Sequence, residues 1–270
     1  RISFGFRGNK DSLKLKIKNK NANESTAITY EKDTDTLNFW FKEFEYDTIR
    51  MRIENIGYEK EYKLAFPKKK LETDSLQIET ENTNSIDLGS KFVLNSNIPL
   101  NYVNNDLIKI LNKDSTEVDF STNIENKNRI VFDFEVLPND NYSINLFPNS
   151  VVDFYENTID TLKYNLSTKK TSDYGTLIMN VLSLNEYPII VELLDLNEKI
   201  IKTKYLKDEL DDCIFENINP GDYSIRLIHD KNKNMKWDSG NYLKKINAER
   251  TIHSIEKIKI RANWIIRESI

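Results

Sequence analysis

Asp230, Asn232, Asn234 and Asp238 fall within one short run, Asp230-Lys231-Asn232-Lys233-Asn234-Met235-Lys236-Trp237-Asp238. Oxygen-bearing side chains at positions 1, 3, 5 and 9 are how a calcium loop gathers hard oxygen ligands, and Lys236 stands at position 7, where a backbone carbonyl serves. Asp230, Asn232, Asn234, Lys236 and Asp238 are therefore a candidate Ca2+ site, of modest affinity because only two of the side-chain ligands carry charge. Two positions depart from a full loop. Met235 occupies the place of the usual glycine, and Asn241 that of the bidentate glutamate. An Asx-rich turn between two strands, with Trp237 packed on the core, accounts for the same residues without a metal.

Other chemistry has less to stand on. Two histidines, His229 and His253, cannot build a His-rich metal centre. Seven glycines form no phosphate-cradling loop, and no G-x-S-x-G elbow is present. Cys213 is the single cysteine, so no internal disulfide forms, and its strand-like setting reads as a small buried hydrophobe. The 43 acidic residues offer many carboxylate pairs and single out none. No catalytic residue, organic cofactor or enzyme activity is expected. A net charge of −4, from 39 basic and 43 acidic residues, gives no reason to expect nucleic acid as a partner. Lys68, Lys69 and Lys70 form the densest basic block and read as a solvated linker.

The elements that would hold such loops are strands. Leu13, Leu15 and Ile17 alternate with lysines; Ile49, Met51 and Ile53 alternate with Arg50 and Arg52. Ile130, Phe132, Phe134 and Val136 form a third set, and Ile258, Ile260, Ala262 and Trp264 a fourth. Side chains two apart share one face of a strand, so each set covers a core from one side. The nearest thing to a helical stripe, 104–112, suits a strand as well. Clusters such as Pro138-Asn139-Asp140-Asn141 and Asn197-Glu198 are turns. In Phe215-Glu216-Asn217-Ile218-Asn219-Pro220-Gly221-Asp222-Tyr223, Phe215 and Ile218 fill the core, and Pro220-Gly221 makes the turn, with glycine accepting a positive φ. Asp-(Ser/Thr)-aliphatic triplets, at Asp35-Thr36-Leu37 and Asp160-Thr161-Leu162 among others, mark strand starts. Short strands separated by such turns predict an all-β chain of tandem β-sandwiches. Three units are expected, over 1–68, 69–170 and 171–270, the first incomplete at its N-terminus. No apolar run approaches the roughly 20 residues of a membrane-spanning helix. The chain opens inside a strand, so its natural start and any targeting signal are expected upstream of Arg1.

Several of these segments carry a resemblance. Tyr30-Glu31-Lys32-Asp33-Thr34-Asp35-Thr36-Leu37-Asn38-Phe39-Trp40, Asp173-Tyr174-Gly175, Pro220-Gly221-Asp222-Tyr223-Ser224-Ile225-Arg226, the Asp230 loop, Trp237-Asp238-Ser239-Gly240-Asn241-Tyr242-Leu243 and Arg261-Ala262-Asn263-Trp264 together resemble the C-terminal portion of Bacteroidetes-type Ig-like domain envelope lipoproteins. Ala248-Glu249-Arg250 departs from that pattern, which has Pro-Glu there. The resemblance implies Ig-like units closed by a prealbumin-like or carboxypeptidase-regulatory-like sandwich from about Asp173. It also implies a lipid anchor upstream and a cell-envelope location at the outer membrane. The Asp-(Ser/Thr)-aliphatic triplets resemble an O-glycosylation acceptor of such proteins.

The expected role is then a non-catalytic scaffold or accessory subunit. Its partners would be an outer-membrane β-barrel protein, an assembly or secretion machine, or other envelope lipoproteins, met through sandwich faces and strand edges. A glycan-binding or adhesive module is the alternative, because Trp40, Trp237, Trp264 and the 13 tyrosines can stack on sugar rings. A carboxylate-based hydrolase is the third and weakest reading.

Overall fold

The structure, a computed structural model, describes residues 1–5, 14–18, 26–31, 34–42, 48–55, 58–65, 75–181, 187–241, 245–254 and 256–270. Leu13 and the Lys68, Lys69, Lys70 block lie outside them. The described residues are all-β, as the alternation predicts, and they form two compact units. One comprises Arg1–Ile86, Ser90–Glu135 and Asn141–Ser167; the other comprises Asp87–Gly89, Val136–Asp140 and Thr168–Ile270.

The first unit begins with β1 (Ile2–Gly5), β2 (Lys14–Ile17), β3 (Thr26–Glu31), β4 (Thr36–Phe41), β5 (Thr48–Asn55) and β6 (Tyr58–Ala65). They make two antiparallel three-stranded sheets, β1-β4-β3 and β2-β5-β6. Phe39 and Phe41 from one sheet meet Ile49 and Met51 from the other. Arg50 and Arg52, one residue out of phase, face away, and Arg52 pairs with Glu54 and Glu59.

The same unit continues through β7 (Ile78–Thr80), β8 (Phe92–Ser96), β9 (Leu100–Val103), β10 (Ile108–Leu111), β11 (Phe120–Glu125), β12 (Arg129–Phe134), β13 (Asn141–Leu146), β14 (Val151–Asp153) and β15 (Leu162–Ser167). Sheet β11-β12-β8-β7 and sheet β10-β13-β15 supply a core rich in rings. Phe92 lies 5.2 Å from Phe132 and 5.3 Å from Tyr164 between ring centroids. The helix-or-strand ambiguity at 104–112 resolves into both. The Asn104 side chain accepts from the Asp106 N–H and caps one 3-10 turn, and β10 follows at once.

The second unit holds β16 (Gly175–Asn180), β17 (Ile189–Leu194), β18 (Ile200–Leu206), β19 (Cys213–Ile218), β20 (Gly221–His229), β21 (Thr251–His253), β22 (Ile258–Ile260) and β23 (Ile265–Ser269). Sheet β19-β16-β23 faces sheet β18-β17-β20-β21, to which β22 adds by pairing with β20. Leu177, Phe215, Val191, Leu193, Ile225 and Leu227 fill the space between. Each such side chain contributes about 1.5–3 kcal/mol of burial. Cys213 sits in this core, and burial pushes its thiol up to about 11, so it stays a thiol at neutral pH.

Two local expectations need correction. Ile258 to Trp264 is not one strand: β22 ends at Ile260, the chain turns with Asn263 at φ 59°, and β23 starts at Ile265. Gly221 does not sit at positive φ, since Gly89 alone among the described glycines does. Gly221 instead lies beneath Tyr223, where an added Cβ would come within 3.4 Å of the ring. Phe215 and Ile218 both fill the core, as expected, and a bulge with Asn217 at φ 52° lets residues three apart share that face.

Two tyrosines lock strand starts in the manner of Ig-type sandwiches. The Tyr223 hydroxyl donates to the Asn219 carbonyl at 2.8 Å, and the Tyr142 hydroxyl donates to the Glu135 carbonyl at 3.3 Å. Each tyrosine stands a few residues after a proline, Pro220 and Pro138, so the two units reuse one device. Among the described residues no helix is long and apolar enough to cross a membrane.

Candidate functional site

The Asp230 loop leaves the end of β20 and returns toward β21. Asp230 itself is 1% exposed. One carboxylate oxygen accepts from the Asn234 N–H at 3.0 Å and the other from the Met235 N–H at 2.8 Å. The Asn232 Oδ1 accepts from the Asn234 N–H at 3.1 Å, and the Asn234 Oδ1 accepts from the Lys236 N–H at 2.9 Å. Asn232 and Asn234 make successive Asx turns, each binding the backbone two residues on, while Asp230 reaches four and five residues on. Met235 takes φ 63°, the left-handed backbone that the glycine of a calcium loop supplies. Met235 therefore holds this conformation with a side chain where glycine would relieve strain.

The loop is also held by its own side chains. The carboxamides of Asn232 and Asn234 both donate to one Asp238 oxygen, at 2.5 and 2.7 Å. Glu249, from the returning chain, clamps both ends: it accepts from the Lys231 N–H at 2.8 Å and the Asp238 N–H at 3.0 Å. Glu249 lies at the departure noted above, in Ala248-Glu249-Arg250. Its role was hidden in the sequence because it acts from 11 residues beyond Asp238. Tyr205 on β18 bonds Asp230, and burial first and that bond second hold its hydroxyl above the usual tyrosine range. Among the described residues no three His, Cys, Asp or Glu side chains gather as metal ligands.

Trp237 does not pack on the core as the metal-free reading expected. It is 50% exposed, and its indole N–H donates to the Glu249 carbonyl at 3.2 Å. Trp264 is 57% exposed, with the Arg261 guanidinium 5.1 Å from its ring centre. Trp40 is buried and donates to Thr29 at 2.8 Å. His229 is buried at the end of β20, beside the loop.

A second polar cluster escaped sequence reading. Asp87 accepts from the Tyr174 hydroxyl at 3.0 Å and from the Asn219 carboxamide at 2.8 Å. Lys169 donates to the Asn219 Oδ1 at 2.6 Å and stands 3.8 Å from Asp87. Asp87 and Tyr174 are 87 residues apart, a separation no local pattern reveals. In Asp173-Tyr174-Gly175 the tyrosine is the residue that makes this contact. Burial, reinforced by the bond to Asp87 and partly offset by the Leu88 N–H, pushes the Tyr174 hydroxyl up to about 12. A raised pKa means stability that is complete below about pH 10 and lost as the pH climbs through about 12. Melting temperatures taken across that window should fall for the wild type more steeply than for Tyr174→Phe, which has no proton to lose there. Parallel curves would show that Tyr174 ionises as freely in the folded chain as in the unfolded one.

No family model matches the chain, and no curated protein matches it. Among solved structures it is similar to native alpha-2-macroglobulin from Escherichia coli, spanning domains MG0-NIE-MG1, at 11% identity and TM-score 0.34, over 56% of this chain and 65% of that one. It is also similar to BcpA, the major pilin subunit of Bacillus cereus, at 10% identity and TM-score 0.24, over 92% of this chain and 94% of that one. A third is the Bacillus anthracis TIE protein, at 11% identity and TM-score 0.24, over 75% of this chain and 41% of that one.

Proposed function

We propose that this chain is a non-catalytic envelope scaffold that works by protein contact, with an outer-membrane β-barrel or assembly machinery as its partner class and a lipid anchor upstream. The observation that carries this reading is the placement of exposed apolar side chains on edge strands of the second unit. Ile200 and Ile201 lie on β18, at the margin of one sheet, and Ile265 lies on β23, at the margin of the other. Leu210, in the turn between β18 and β19, is 86% exposed. Edges left open are normally guarded by charge, and Lys202, Lys204 and Arg267 on the same strands serve that purpose. An edge that is guarded yet apolar at its end admits a complementary strand or pocket and rejects indiscriminate pairing. The partner's identity as a barrel or assembly protein rests on the family resemblance.

Affinity capture from detergent-solubilised native membranes tests it. Wild-type chain should retain a membrane protein that Ile265→Asp releases. Identical captured sets from wild type, variant and bare resin would end the scaffold reading.

A second reading, glycan contact, draws support from Trp237 and Trp264, since half-exposed indoles offer ring faces on which sugars stack. Glycan-array binding that disappears with Trp264→Ala would favour it over the scaffold.

A further inference from the structure

The Asp87 cluster brings together three groups of complementary chemistry. The Lys169 Nζ donates to the Asn219 Oδ1 at 2.6 Å. A C=O bond is about 1.23 Å long, so Nζ lies within about 3.8 Å of the Asn219 Cγ. Asp87 touches the other end of the same carboxamide, its Oδ2 accepting from the Asn219 Nδ2 at 2.8 Å. The Asp87 Oδ1 stands 3.8 Å from the Lys169 Nζ. An amine, a carboxamide carbon and a carboxylate that neighbours both nitrogens therefore meet in one place. They come from positions far apart in the chain, Lys169 lying 50 residues and Asp87 132 residues before Asn219.

Each of the three is held in place. Asp87 belongs to the second unit's segment Asp87–Gly89, and its Oδ1 accepts from the Tyr174 hydroxyl at 3.0 Å. Asn219 is fixed through its backbone, where the carbonyl accepts from the Tyr223 hydroxyl at 2.8 Å. The Lys169 carbonyl accepts from the Asn139 N–H at 3.0 Å, and its Nζ stands 5.7 Å from the centre of the buried Tyr174 ring. Pro220 follows Asn219 and has no backbone N–H, so the usual cyclisation of an asparagine onto the next residue's nitrogen is closed to it. That leaves the Lys169 amine facing the carboxamide carbon. Lys202, which also lies near Asp87, instead donates to the Glu216 carbonyl at 2.5 Å.

We propose that Lys169 and Asn219 form an intramolecular isopeptide bond, with Asp87 as the proton carrier. The neutral Lys169 Nζ attacks the Asn219 Cγ. Asp87 takes a proton from that nitrogen as the new C–N bond forms. It gives the proton to the Asn219 Nδ2, which leaves as ammonia when the old C–N bond breaks. One amide replaces another, so the step needs no oxidant, reductant or activated cofactor. Oriented groups react at effective molarities of about 10⁵–10⁸ M, which is what holding the amine against the carboxamide supplies. The Lys169 side chain is half-exposed, which gives ammonia a way out. The bond ties the segment ahead of β16 to the β19–β20 turn and closes a ring over 169–219. It stands or falls independently of both readings above.

Intact-mass spectrometry of the purified whole chain tests the proposal. The linked chain is lighter than its sequence by about 17 Da, one ammonia. A tryptic digest should contain a branched peptide joining residues 164–170 to residues 208–226, with cleavage after Lys169 blocked. Mildly alkaline incubation should raise the linked fraction, because more lysine amine is then neutral. Lys169→Arg keeps the cation but offers no competent nucleophile, so it should show its full sequence mass, and so should Asn219→Ala. Asp87→Asn should link at least about a hundredfold more slowly, the usual contribution of a positioned proton carrier. Lys202→Arg should link as the wild type does. Circular dichroism checks that each variant folds, and the branched peptide separates this bond from a succinimide at another asparagine, which also sheds ammonia. Four results would overturn the proposal: full sequence mass in the wild type after incubation, an ammonia loss that persists in Lys169→Arg, a deamidated Asn219 about 1 Da heavier with no branched peptide, or linkage as fast in Asp87→Asn as in the wild type.

Discussion

Asp230→Ala should lower the stability of the second unit by about 2–4 kcal/mol. The buried carboxylate accepts two backbone N–H groups, from Asn234 and Met235. Hydrogen bonds to a charged acceptor are worth about 1.5–3 kcal/mol each, and the variant would leave both donors without it. Removing a buried charge returns some desolvation energy, which keeps the net below the sum. Met235 adds to the loss, because its left-handed backbone persists only while its N–H is held. For a unit of this size the melting temperature should drop by roughly 10 °C. The measurement is made twice, in calcium and in chelator. If a cation occupies the loop, wild type melts higher in calcium and the variant does not. If Asp230, Asn232, Asn234 and Asp238 serve each other alone, both proteins ignore calcium and the difference between them stays constant. A variant that melts with the wild type in both buffers would refute the cap itself.

The same loop shows what a sequence displays and what it hides. The Asx ladder was legible because each Asn or Asp acts on the backbone two to five residues away, within reach of any local pattern. Glu249 was not legible, since a glutamate clamping a loop from the returning chain has no signature of its own. Strands were legible for the corresponding reason. Ile49, Met51 and Ile53 alternate with Arg50 and Arg52, and a half-buried strand cannot hide that period. Ile258 to Trp264 keeps the period through a turn, so alternation alone ran two strands together. Indoles were ambiguous from the start: Trp40 fills a core and Trp264 stands out from one, because a large ring with a polar N–H suits either place. The Asp87 cluster depends on chain segments brought together only by folding, and no window along the chain contains it.

Gly175→Ala should be still more damaging for its size, about 3 kcal/mol for a single methyl group. Gly175 opens β16, and a Cβ built there would stand 2.5 Å from the Ile260 Cγ2 and 2.6 Å from the Arg261 carbonyl oxygen. Neither approach is tolerable, and the two differ in what can yield. Ile260 is a side chain in the core, whereas Arg261 is backbone in the turn that launches β23. That turn is already committed: the Asn263 N–H donates to the Tyr174 carbonyl at 2.8 Å, and the Thr176 N–H donates to the Trp264 carbonyl at 2.9 Å. Moving it to admit a methyl group would strain the parallel pairing of β16 with β23. Ile260→Leu distinguishes the two obstacles, because leucine keeps the volume but has no Cγ2. Alone it should cost under about 1.5 kcal/mol. Combined with Gly175→Ala it should recover part of the loss, and the shortfall measures the carbonyl clash, a coupling that a double-mutant cycle isolates. Full recovery would mean that the turn yields and the backbone approach carries no cost. A Gly175→Ala chain that melts with the wild type would mean that β16 and the 261–264 turn lie farther apart than the structure has them.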